Sequence, residues 1–164
     1  MTDQLDRLDR RLMEELQLNA RLTVAELSER VALSPSACWR RVKLLEEAGY
    51  IEAYAAQLSA SRLGYGVRAF VSLMMDSHDK ETTRAFEARL AEIPQILACH
   101  NVSGRYDFLV EVVALDLQDF GEFTRDVLQM LPGVKEIHSS FSLKAVKSTR
   151  RLPLPDRASP GSAG

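Results

Sequence analysis

Leu5, Leu8, Leu12 and Leu16 recur three or four residues apart with Asp, Arg and Glu between them, a spacing that predicts an amphipathic helix ending near Asn19. Thr23 followed three residues on by Glu26 can satisfy two orphan amides reciprocally. This capping box predicts a second, short helix that buries Val24, Leu27 and Val31 and breaks at Ala32-Leu33. Ser34-Pro35 then offers a capping hydroxyl and a proline at the first helical position, so a third helix is expected to run to about Ala48 and to stop at Gly49. Tyr50 to Tyr54 alternates like a short strand. Two short helices, a tight turn and a third capped helix form the helix-turn-helix pattern.

After a stretch rich in small and polar residues, Gln57 to Gly66, the periodicity changes. Val67 to Met74 predicts a strand, Lys80 to Glu92 a helix burying Phe86, Leu90 and Ile93, Ile96 to Ser103 a second strand, and Tyr106 to Ala114 a third across a tight turn at Gly104-Arg105. Asp116 caps a helix that turns Phe120, Val127 and Leu131 inward and ends at Pro132-Gly133, and Val134 to Val146 predicts a fourth strand. The order β-α-β-β-α-β is the split βαβ of the ferredoxin-like plan, with both helices on one face of an antiparallel sheet. The opposite face is left bare. Phe70, Met74, Leu109 and Val113 alternate against their neighbours there, and such an apolar patch predicts pairing with a second copy.

The third helix carries the candidate chemistry. At about 100° per residue, Cys38, Trp39, Val42 and Leu45 gather on one side, while Ser36, Arg40, Lys43 and Glu47 fall in a narrow arc on another. Trp39 is accordingly expected in the core. Ser34 and Ser36 at the helix N-terminus suit phosphate oxygens, and Arg40, Arg41 and Lys43 one to two turns in can reach guanine edges or the backbone.

Charge sharpens this reading. Basic and acidic residues number 8 and 10 in residues 1–61, 9 and 12 in 62–146, and 4 and 1 in 147–164, so DNA binding must rest on a local face and not on bulk charge. Cys38 and Cys99 lie far apart without metal spacing, and His78, His100 and His138 stand alone, so neither a disulfide framework nor a metal or cofactor site is expected. With no Gly-rich phosphate loop and no paired nucleophile and base, the chain is read as no enzyme. A charged N-terminus and the lack of a long apolar run predict a cytoplasmic protein.

The run LDRLDRRLMEELQLNARLTVAELSERVALSPSACWRRVKLLEEAGYIEAY resembles the DNA-binding half of the Lrp/AsnC, or feast/famine, regulators. One departure stands in the turn, where the family carries glycine as VGLS and this chain carries Ala32. If that position has positive φ, alanine costs on the order of 1 kcal/mol. IPQILACHNVSGRYDFLVEV and LPGVKEIHSSFSLKAVK are similar to two signatures of the same family's effector domain, called RAM. The resemblance, spanning roughly Leu5 to Pro153, implies dimers made through the sheets, with octamers among the assemblies. It also implies an amino-acid effector held between dimers around the S-G-x-x-D turn and the T-x-T strand. Carried over, those motifs give Ser103, Gly104, Arg105, Tyr106, Asp107 and Ser139, with Ile137 where the family often has Thr.

The fold expected is therefore α+β, an N-terminal winged helix-turn-helix over residues 1–56, a linker over 57–66, a ferredoxin-like βαββαβ domain over 67–151, and a disordered tail over 152–164 rich in Pro, Gly and Ser. The function expected is a transcriptional regulator that binds a near-palindromic double-stranded DNA operator as a homodimer, and answers to an amino acid. The rival readings are an architectural DNA-wrapping protein without an effector and an enzyme on the ferredoxin-like plan.

Overall fold

Helix caps set the first unit. In the computed structural model, which describes residues 5–77 and 79–155, Asp6 and Asp9 form a reciprocal capping box at the start of α1 (Arg7–Leu18), and Thr23 and Glu26 form a second at α2 (Val24–Val31). The Ser34 hydroxyl accepts the Ala37 amide and Pro35 opens α3 (Pro35–Glu47). The three helices close on Leu12, Met13, Leu27, Val31, Cys38 and Leu45. Ala32 ends α2 at φ 56°, a left-handed conformation that glycine enters without steric cost. Its neighbour Leu33 sends its amide back to the Ser28 carbonyl at 2.9 Å, so the turn is closed by backbone bonds despite the alanine.

Three expectations are corrected here. Tyr50 to Tyr54 runs on after Gly49 without forming a strand in this chain, because an extended segment needs a ladder partner and the unit supplies none among the described residues. Trp39 lies outside the core and is 54% exposed. The segment expected to be structureless from residue 152 is held in part. Leu152 exchanges two hydrogen bonds with the Gln17 side chain, at 2.6 and 3.1 Å, and Leu154 packs against the three-helix core. Residues 156–164 of that tail lie outside the described residues, as does His78. The chain thus divides into one unit made of the described parts of Met1–Gln57 and Ser148–Gly164, and a second of Leu58–Lys147.

The second unit begins with a single 3-10 turn at Ser61–Leu63, within the stretch read as linker. A four-stranded antiparallel sheet follows, ordered β2-β3-β1-β4, from β1 (Val67–Met75), β2 (Ile96–Asn101), β3 (Phe108–Ala114) and β4 (Val134–Phe141). The helices α4 (Lys80–Ala91) and α5 (Leu117–Asp126) cover one face, where Phe86, Leu90, Phe120 and Phe123 meet Ala69, Val71, Leu73, Phe108, Val110 and Val112. Amide and hydroxyl bonds from Thr82 to the α4 cap residue Asp79 hold its carboxyl down at about 2. Gly133 sits at φ 73° between α5 and β4, where a Cβ would collide with Thr82 and Met75.

Strand β4 stops earlier than its apolar alternation predicts. Its last rung pairs Phe141 with Ala69, the Ser142 amide still reaches the Arg68 carbonyl at 2.9 Å, and β1 ends one residue further at Val67. Leu143, opposite Val67 in the continued register, forms no rung and is 98% exposed. The open face is mixed in character. Phe70 is 40% exposed there, with Met74 and Leu109 half-buried, but Arg68 and Glu111 form a 3.1 Å ion pair among them. Among the described residues no helix is long and apolar enough to cross a membrane.

Candidate functional site

Which arc of α3 faces inward decides what it can present. Cys38 and Leu45 are buried and Val42 packs beside them, so the outward arc carries Ser36, Arg40, Lys43 and Glu47. Ser34 and Ser36 are exposed at the helix start, their hydroxyls 3.3 Å apart, above the free amides of the first turn. Arg40 is exposed and has no ion-pair partner among the described residues.

The other two basic residues are engaged within the protein. Arg41 turns toward α1, where one guanidinium nitrogen lies 2.7 Å from both Asp6 and Asp9. Its charge pulls against burial, and together with the Asp9 amide it leaves the Asp6 carboxyl below its ordinary value. Arg41 therefore joins two helices of the unit, and no neighbouring residue signals this because its partners lie 32 and 35 positions earlier. Lys43 bonds Glu46 one turn on at 2.7 Å, and Glu46 also accepts the Tyr54 phenol at 3.0 Å. Burial and that carboxylate push the Tyr54 hydroxyl up to about 12, so it stays a donor at neutral pH. The pair on Lys43 is exposed and contributes little to stability, so a phosphate can compete for the ammonium.

In the second unit, residues 102–107 form a loop closed by the Val102 amide on the Asp107 carbonyl at 2.9 Å, with Gly104 at φ 130°. Ser103, Gly104 and Arg105 are exposed. Asp107 is turned to a structural task, since its carboxylate accepts the Met75 amide at 2.7 Å while its own amide reaches the Leu73 carbonyl at 2.9 Å. Tyr106 instead gathers partners that the motif alone does not name. Its ring stacks on His138 at 6.0 Å, the Arg105 guanidinium lies 5.2 Å above it, and Arg105 reaches Glu136 at 3.4 Å. Glu136 and His138 were legible only from the β4 alternation, which puts them opposite Met74 and Ser72 on the open face. Ser139 pairs with Val71 and so points to the helix-covered face, with Ile137 partly buried against the core on that side. Within one chain, then, Ser139 does not join the Tyr106 group.

Among the described residues no group of three or more His, Cys, Asp or Glu is placed to hold a metal ion. Both cysteines are free thiols whose ionisation burial resists, Cys38 fully enclosed and Cys99 half-buried near Glu87.

A helix-turn-helix unit of three capped helices, joined in one chain to a ferredoxin-like unit, defines a two-domain DNA-binding regulator with a separate ligand-binding part. Residues 5–52 match the model for winged helix-turn-helix DNA-binding domains, and residues 68–152 match that for the Lrp/AsnC ligand binding domain. The chain is 38% identical over 151 residues to a leucine-responsive regulatory protein of Rhizobium meliloti, covering 92% of this chain and 97% of the relative. It is 33% identical over 150 residues to the DNA-binding transcriptional activator DecR of Escherichia coli, covering 92% and 99%. A transcriptional regulator of Neisseria meningitidis, solved as a complex with L-Met, superposes with a TM-score of 0.87 at 41% identity, covering 91% of this chain and 96% of that one. The chain belongs to the Lrp/AsnC family of transcriptional regulators.

Proposed function

We propose that the chain regulates transcription by laying α3 into the major groove of a near-palindromic operator as a homodimer, and that an amino acid bound near residues 103–106 sets its affinity or assembly. The observation that carries the DNA reading is the outer face of α3, where two exposed serines cap the helix and Arg40 stands unpaired one turn further in. Ser34 and Ser36 position the helix on phosphates, Arg40 reads a base edge, and Lys43 exchanges Glu46 for a phosphate. Arg41, tied to Asp6 and Asp9, acts by orienting α3.

The amino-acid reading draws on the L-Met complex of the Neisseria relative. In this chain the exposed amides around Gly104 suit a carboxylate and the Tyr106 ring an apolar side chain. Asp107 supports this loop from below through Met75. Further assembly to octamers accords with the family.

The test begins with duplexes selected by the protein from a random library. Arg40→Ala is expected to lose roughly 1–3 kcal/mol on the selected site at fixed salt and to relax preference at one position of each half-site. Equal binding by Arg40→Ala and the parent would remove α3 as the reader. A thermal-shift screen with the common amino acids, methionine among them, should raise the melting temperature for at least one, since a ligand of the native state stabilises by mass action. No shift with any of them would remove the amino-acid effector.

A further inference from the structure

Trp39 is the single tryptophan of the chain, and it is 54% exposed on the helix assigned to DNA. It makes no ring or cation contact among the described residues. Around α3 it lies about 100° from buried Cys38 but only about 40° from Lys43 and 60° from Ser36. Its neighbours at three and four positions on the outer surface are therefore Ser36 and Lys43, with Arg40 next in sequence. A large apolar ring left half in water costs free energy in the isolated protein, and one flanked by an unpaired guanidinium and exposed hydroxyls is poorly suited to an apolar protein partner.

We propose that Trp39 is a specificity-determining residue of operator recognition, its indole packing against the 5-methyl group of a thymine in each half-site. This rests on the reading of α3 as the DNA-reading helix and names a residue and a base feature that this reading leaves open. Lys43 shares its charge with Glu46, so among the described residues the unpaired cation beside the ring is Arg40, and it favours a polyanion as the occupant. The ring sits about 6 Å along the axis from Pro35, in the N-terminal part of a reading helix that approaches base edges. Within the major groove the one apolar feature at a base edge is the thymine methyl, and the other edge groups are hydrogen-bond donors and acceptors. An indole offers broad apolar area and one N–H, so the methyl is the feature it can recognise best.

The experiment uses the full chain and the duplex it selects from a random library. Thymines are replaced by uracil, which removes only the methyl, one symmetric pair at a time. For the parent, one such pair should weaken binding about fivefold per half-site. For Trp39→Ala that same replacement should have no effect, and Trp39→Phe should keep most of the sensitivity. The fluorescence of the parent's sole tryptophan should become shielded from acrylamide on adding the selected duplex. Because the side chain is exposed, Trp39→Ala is expected to melt with the parent. A substituted chain that still responds to uracil as the parent does would overturn the proposal. So would a tryptophan whose shielding follows protein concentration without DNA, which would place a second copy on the ring. If the parent enriches no duplex at all, it is the DNA-reading assignment of α3 that fails. Enrichment with no uracil-sensitive position defeats the Trp39 contact alone.

Discussion

The guanidinium of Arg41 stands 2.7 Å from the carboxylate of Asp9, and the same nitrogen is 2.7 Å from Asp6, so this cation fastens α3 to α1. Arg41 and Asp9 are partly shielded from water while Asp6 is exposed, and the arrangement crosses between helices that otherwise touch through apolar residues. Arg41→Ala should therefore destabilise the DNA-binding unit by about 1 kcal/mol in denaturant unfolding. The depressed Asp6 carboxyl gives this contribution a pH signature. It is present above the ordinary value of 3.8 and fades as pH falls below it, so Arg41→Ala should match the parent more closely at low pH than at pH 6. An Arg41→Ala chain that unfolds with the parent at pH 6 but binds all duplexes weakly would instead make Arg41 a phosphate contact.

Ala32 holds φ 56° at the end of α2. A left-handed alanine costs about 1–2 kcal/mol, while glycine loses about 0.5–1 kcal/mol in chain entropy on folding. Ala32→Gly should therefore gain about 0.5–1 kcal/mol, read as a higher denaturant midpoint with an unchanged slope. A lower midpoint would show that the turn relaxes around the methyl group.

Asp107 and Met75 are 32 positions apart and joined by a 2.7 Å bond from amide to carboxylate. Removing that acceptor with Asp107→Ala should cost about 2 kcal/mol, because the partly buried Met75 amide loses a charged partner. Asp107→Asn keeps an acceptor and should cost less. Effector titrations that aim at the loop are better made with Arg105→Ala, whose side chain is exposed and whose melting temperature should stay near the parent's.

The last described segment is held to α1 by Gln17 and Leu152 and by Leu154 on the core. A chain ending after Arg151 should lose on the order of 1 kcal/mol of stability in the DNA-binding unit. Hydrogen exchange on α1 and α3 reads this locally, and unchanged protection there would make the segment an idle contact.

Phe70 lies in the central strand β1 with its ring on the open face of the sheet. If that face joins two copies, Phe70→Asp should give monomers by light scattering and weaken DNA binding with it, since a carboxylate would be buried against apolar partners. Dimers that persist in Phe70→Asp would move the interface elsewhere.

Much of the fold was legible in the residues because its signals are local. Thr23 with Glu26, and Ser34 with Pro35, lie within one helical turn of the amides they cap, so neighbouring residues alone determine where α2 and α3 begin. The alternation of β1 and β3 and the two helical stretches between strands likewise fix a β-α-β-β-α-β order, and the observed sheet follows it. The site was legible only in part. Ser34, Ser36 and Arg40 stand where the helical period puts them.

What the sequence alone could not determine depends on groups far apart in the chain. A helical wheel gives angles but not the centre of the buried arc, which the docking of α1 and α2 sets near Cys38 and Leu45. That centre leaves Trp39 in water and turns Arg41 toward Asp6 and Asp9. Strand β4 ends at Phe141 although β1 runs on to Val67 and the apolar alternation of β4 continues, so its end is not written in its own residues. The carboxylate of Asp107 is taken by an amide 32 positions away, and Leu152 finds Gln17 across 135 positions. Caps and periods act within a turn or a rung, where adjacent residues decide the outcome. A long-range partner is chosen only when the folded backbone brings two distant groups within hydrogen-bond reach, so these assignments belong to the tertiary structure.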